Sequence, residues 1–244
     1  MQLNLEDASG LFEKSKLEHL RRMFLRDGLI PDLRIISSVA CLQSTGEKKD
    51  LISILKLAIN SRKDLEILYE VLLQGYLFCG YPRAIESFFC LQQAIALSDN
   101  IDLSCISLRP FELPEVMLAL GAETATLVHG NKFEKIQNKI SALSPDLGYL
   151  MIAEGYGHIL SRKGLDLKAR ELAVVSSISA MGSNRQLNSD IRGCRNAGCD
   201  DFEIYETIFT GLLWLPSERV IESLAVWSDI TGLAVSEPVA EFIN

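Results

Sequence analysis

Glu171 and Asp190 are the residues of this 244-residue sequence best placed to handle protons. Helical spacing puts Glu171 on one face with Val174, Val175 and Ile178, and Asp190 on one face with Leu187, Ile191 and Cys194. Apolar stripes of that kind turn toward a core. A carboxylate there is costly unless it is paired, hydrogen-bonded or protonated. Two buried acids near one another have raised pKa values, which suits proton transfer near neutrality. His158, in GYGHILSRKGL just ahead of the Glu171 helix, is the expected third catalytic member. Arg162 and Arg170 are the expected holders of a substrate carboxylate. The competing structural reading pairs Glu171 with Arg170, Arg192 or Arg195 as a tether between helices. His19 and His129 have no companions in the sequence and take no role. Gly155 and Gly157 flank Tyr156 without the strand a dinucleotide site needs.

The elements that must position these acids come in two copies. Shifting the sequence by 136 positions lays Gly28-Leu29 on Gly164-Leu165, Arg34 on Arg170, Gly46 on Gly182 and Asn60 on Asn196. It also lays Glu70 on Glu206, Gly75 on Gly211 and Ile85-Glu86-Ser87 on Ile221-Glu222-Ser223. The prolines Pro82 and Pro216 fall two residues out of register, so that corner is expected to differ. The period is too long for a solenoid repeat. The expectation is therefore an all-α chain made by tandem duplication of one helical domain. Its first copy takes residues 1–98, its second 140–244, and a linker with a connecting helix fills 99–139. Asp166 should cap the Glu171 helix and Gly182 should end it. Asp200 and Asp201 should open the helix DFEIYETIF, with acids in its first turn. Opposite Glu171 and Asp190 the first copy has Ile35 and Ile54. One fold thus accepts hydrocarbon where the second copy keeps two acids.

Composition narrows the class. A net charge of −8 argues against nucleic acid and anionic membrane surfaces as partners. No apolar run reaches membrane-spanning length. The six cysteines form no C-x-x-C pair and no zinc spacing, so reduced thiols in a soluble cytoplasmic protein are expected.

The stretch from Leu143 through Gly182, then QLNSDIRGCRNAG and DFEIYETI, resembles the carboxymuconolactone decarboxylase family of the alkylhydroperoxidase D-like superfamily. S-R-x-G-L-D-L-x-x-R-E, from Ser161 to Glu171, is the most specific part. In the first copy, YEVLLQGYLFCGYPRAIES resembles the end of that domain. The resemblance implies helical subunits, a small-molecule substrate, and action on a lactone in aromatic-acid breakdown with no metal or organic cofactor. It also implies a ring-shaped homo-oligomer, here a trimer of two-domain chains. Glu171 matches the family's glutamate and Arg170 its arginine. The family's histidine on the second core helix is replaced by Asp190, and by Ile54 in the first copy. Thiol members reduce peroxides through a C-x-x-C pair, whose places are held by Ser183 and Gln186, and by Glu47 and Asp50 in the first copy. The leading expectation is a cofactor-independent lyase acting on a small carboxylate or lactone, with its site in the second copy. A non-catalytic helical scaffold and a peroxidase-like oxidoreductase using Cys194 and Cys199 are the alternatives.

Overall fold

The computed structural model describes residues 8, 10–61, 64–98, 109–235, 239 and 242. Residues 99–108 of the expected linker segment, with Cys105, lie outside these residues. Among the described residues the chain is all-α, with no strand, and no helix is long and apolar enough to cross a membrane. Helix α1 (Lys14–Phe24) is followed by α2 (Pro31–Thr45), α3 (Lys48–Asn60) and α4 (Leu65–Ala96). Then come α5 (Pro114–His129), α6 (Phe133–Leu143), α7 (Pro145–Leu150) and a π-helix (Met151–Leu160). Helices α8 (Leu167–Met181), α9 (Asn184–Asn196), α10 (Asp201–Thr210) and α11 (Ser217–Thr231) complete the chain.

The 136-residue offset of the sequence has a counterpart in the helix boundaries. A shift of 136 carries α2 onto α8 and α3 onto α9, end for end, and the start of α4 onto the start of α10. Local chemistry explains why the ends agree. Both α2 and α8 stop at a left-handed glycine, Gly46 and Gly182. The Asp166 side chain accepts from the Ala169 amide, and Asp200 with Glu203 closes a capping box on α10. The copies part at the corner marked by the displaced prolines. In the first copy α4 runs on through a kink at Gly80 (φ 79°, ψ 166°), ahead of Pro82. In the second, a 3₁₀ turn at Gly211–Leu213 and Pro216 separate α10 from α11.

The copies do not fold around separate cores. One apolar cluster runs from Leu20 and Met23 through Leu172 and Val175 to Leu224 and Trp227. Helices α2 and α8 lie against each other at its centre, buried on nearly every face. Small residues let them approach: the Ser176 hydroxyl donates to the Ser37 carbonyl across the contact at 2.7 Å.

Two ion pairs cross between the copies, and each is the other's image. Arg34 of α2 bonds Glu206 of α10 at 2.7 Å, and Arg170 of α8 bonds Glu70 of α4 at 2.7 Å. A second arginine joins each glutamate, Arg26 on Glu206 and Arg162 on Glu70. The guanidiniums of Arg34 and Arg170 are fully buried, and each also donates to two backbone carbonyls. Thr210 and Gln74, at equivalent positions, accept one more bond from each. Burial pushes the Glu70 carboxyl up, but its two arginines outweigh that and hold it below its ordinary value. Each half of the helical array is thus locked by an acid of the other half.

Candidate active site

Helix α8 places Glu171 one residue after the locked Arg170, so the lock fixes where the acid points. Its side chain faces a cavity of about 570 Å³ between α8, α9, the π-helix and the kinked part of α4. Asp190 of α9 and Tyr156 of the π-helix line the same cavity, with Val174, Ile178 and Phe78 among its apolar walls. Tyr76 and Tyr81 straddle the Gly80 kink and stack at 5.0 Å on the rim. The Tyr76 hydroxyl donates to Glu154 at 2.7 Å across that rim.

Glu171 is 2% exposed and Asp190 half-buried. Among the described residues neither carboxyl has an ion pair or hydrogen bond. The tether reading therefore does not describe this site: Arg170 belongs to Glu70 and Arg195 to Asp201. Loss of water raises both acids. The Glu171 carboxyl is pushed up to about 8, first by burial and then by the charge of Asp190. Asp190 is pushed up to about 7 by burial. Two acids lining one cavity thus keep their protons up to neutral pH or just above it.

Gly193 makes room for Glu171. A methyl group added there would come within 3.0 Å of Glu171 Oε2 and 2.7 Å of Val128 Cγ1.

The other expected site residues lie elsewhere. His158 is turned onto Phe111, ring on ring at 3.8 Å, and does not line the cavity. Arg162 and Arg170 are both spent on Glu70, so neither guanidinium reaches the cavity. No lysine or arginine lines it among the described residues.

Two residues given no role from the sequence stand beside the acids. Tyr156 lines the cavity, and His129 Nε2 lies 2.6 Å from its hydroxyl. Burial, then the charges of Glu171 and Asp190, hold the Tyr156 hydroxyl well above its ordinary pKa. Burial lowers His129. The signal for Tyr156 was present in the sequence: the 136-residue shift lays it on Leu20, the same polar-for-apolar exchange that marked the two acids. His129 had no such signal, because the shift of 136 has no residue of this sequence to lay against α5.

Fold and site together define an all-α protein with a cavity walled by two carboxyls of raised proton affinity, one from α8 and one from α9. Residues 145–229, from α7 through most of α11, match the carboxymuconolactone decarboxylase family. No curated protein matches the chain.

Proposed function

We propose that the second copy is a proton-transfer enzyme of the carboxymuconolactone decarboxylase type, acting on a small neutral lactone or related carbonyl compound. The observation that carries this reading is the pair of unpartnered carboxyls, raised to about 8 and about 7, on one wall of a largely apolar cavity. Near neutral pH such a pair holds one proton between its members. One carboxylate can then take a proton next to the carbonyl while the other carboxyl gives one to the substrate. The pair titrates as a unit, so the roles belong to the pair rather than to either acid. Of the two substrate classes expected from the sequence, the lactone is favoured. A substrate carboxylate would meet three acidic side chains and no cation on the lining.

The thiol reading has one point in its favour, the 3.2 Å separation of the Cys194 and Cys199 sulfurs. Against it, burial holds the Cys194 thiol well above its ordinary pKa, so it stays protonated and a poor nucleophile.

The test is proton exchange in deuterium oxide with a panel of neutral lactones, each paired with its ring-opened carboxylate. Wild-type protein should exchange the proton beside the carbonyl of at least one lactone, with a bell-shaped pH dependence of kcat/KM. Glu171→Gln and Asp190→Asn should each lower kcat by about 10²-fold or more with KM little changed. Variants as fast as wild type would remove the carboxyl pair from the chemistry.

A further inference from the structure

We propose that Tyr156 and His129 form a proton relay joining the Glu171–Asp190 pair to a second, basic cleft on the other side of α9. The inference rests on the proton-transfer reading of the first cavity and gives that cavity a second exit.

Two cavities meet at this pair. Tyr156 lines the carboxyl cavity, and His129 lines a cleft of about 420 Å³ whose walls include Lys132, Ser189, Arg192, Arg195 and Asn196. The hydroxyl–imidazole contact of 2.6 Å joins the two linings. Gly193 lines the cleft while Glu171 Oε2 stands behind it, so only a thin wall separates the two spaces.

The contact is held rigidly. The rings meet edge-on, 5.6 Å apart at 77°. Helix α5 and the π-helix touch backbone to backbone, because a methyl group on Gly157 would lie 2.2 Å from the Met117 carbonyl oxygen. At the end of α5, Asn196 of α9 donates to the Val128 carbonyl at 2.7 Å and fixes the turn that carries His129.

Each turnover leaves the pair with one proton but moves it to the other carboxyl. While a substrate fills the cavity mouth, the pair can exchange that proton with water only through a path of this kind. A protonated carboxyl passes its proton, through water in the cavity, to the Tyr156 oxygen. In the same step the Tyr156 O–H proton moves to Nε2 of neutral His129. The imidazolium then loses its Nδ1 proton to water in the cleft, and exchange of the tautomer through that water resets the ring. No electrons move and no group is transferred.

The surroundings of His129 favour that direction. It shares the cleft lining with Lys132 from the adjoining turn and Arg192 and Arg195 from α9, with Tyr156 on the π-helix side. Arg195 is partly balanced by Asp201. Burial lowers His129 and works against a lasting imidazolium, so the proton passes through rather than stopping. The carboxyl pair is faced by Tyr156 and Glu154 from the π-helix, Tyr76 and Tyr81 from α4, and Cys194 from α9.

The test follows the buried carboxyls by time-resolved infrared spectroscopy after a pH jump across neutrality, using the full chain with a neutral lactone of the panel at saturating concentration to occupy the cavity mouth. Tyr156→Phe and His129→Gln, the latter able to keep a hydrogen bond to the tyrosine, should slow carboxyl protonation by about 10²-fold. Their equilibrium midpoints should stay where wild type has them. Imidazole added to His129→Ala should restore the rate, which a merely structural histidine would not allow. Unchanged rates in folded variants overturn the relay, and so does a slowing that only tracks a shifted midpoint. Carboxyls that do not titrate near neutrality overturn it together with the acid pair. Slow variants beside a wild type that exchanges no lactone proton would keep the relay and remove the reaction.

Discussion

The first copy is the second with its chemistry filled in. At the three positions where the second copy has Tyr156, Glu171 and Asp190, the first has Leu20, Ile35 and Ile54, all fully buried. The position of Phe78 on the cavity wall is matched by Trp214, which packs near Phe12 and lies beneath the Lys16 ammonium at 4.9 Å. Lys16 in turn pairs with Asp50, the counterpart of the cavity residue Gln186. Gly193, which clears space for a carboxyl, is matched by buried Leu57. The frame therefore needs none of the polar residues of the second cavity. Above the ordinary carboxyl range, holding the two acids out of water opposes folding.

The frame itself is what the copies share, and breaking it should have the largest effect. Removing one partner of a buried ion pair leaves the other charge unpaired out of water. Arg170→Met and Arg34→Met should each lower the free energy of unfolding by about 3–5 kcal/mol in urea titrations. The two losses should be similar, because each guanidinium has a matching set of partners in the opposite copy. A large loss for one variant and none for the other would mean that the lock is not shared equally.

Giving the second cavity the first copy's lining should have a smaller effect of opposite sign. In the unfolded chain Glu171 and Asp190 release protons near their ordinary values of 4.5 and 3.8, and in the folded chain near about 8 and about 7. Between those values the folded state binds more protons than the unfolded state, so stability falls as pH rises. The contribution is complete below about pH 4 and gone by about pH 8. The double variant Glu171→Ile, Asp190→Ile should lose that slope, so its stability relative to wild type should rise steadily from pH 5 to pH 8 and exceed wild type at pH 8. Stability curves of both proteins against pH would check it. A wild-type curve flat from pH 5 to 8 would sink the claim that these acids are held protonated by burial.

Much of this frame was legible because the chain repeats. A glycine, an arginine or an I-E-S triplet at one constant offset survives any uncertainty in local propensity, and helix ends followed from Asp166, Gly182 and Asp200. The two acids were legible for the same reason, as exceptions to their sister residues. The reciprocal arginine–glutamate lock was not. Arg34 and Arg170 aligned, and so did Glu70 and Glu206, but the offset says nothing about whether each pairs within its copy or across. Arg170 therefore looked free for substrate. His158 was read as catalytic for its nearness in sequence, yet two residues along the π-helix from Tyr156 it lies roughly half a turn round and faces Phe111 instead. His129 was passed over because its partner lies on another helix, in a segment that duplication does not illuminate.

The smallest effect isolates a single methyl group. Gly193 lies inside α9, where alanine is ordinarily better by about 1 kcal/mol. The added methyl would press on Glu171 Oε2 at 3.0 Å and on Val128 Cγ1 at 2.7 Å. Overpacking of this kind costs about 1–3 kcal/mol, so Gly193→Ala should destabilise by a net of about 1 kcal/mol. Part of that cost comes from the carboxyl, and a double-mutant cycle with Glu171→Ala separates it. With the acid shortened, only the Val128 contact opposes the helix gain, and Gly193→Ala should approach neutrality. In the first copy the same position already holds Leu57, so Leu57→Gly should be destabilising on both counts, losing packed hydrocarbon and helix propensity together. Opposite preferences at one position in two aligned helices would tie the glycine to the acid it accommodates. Equal preferences would leave Gly193 with no more than a helix-packing role.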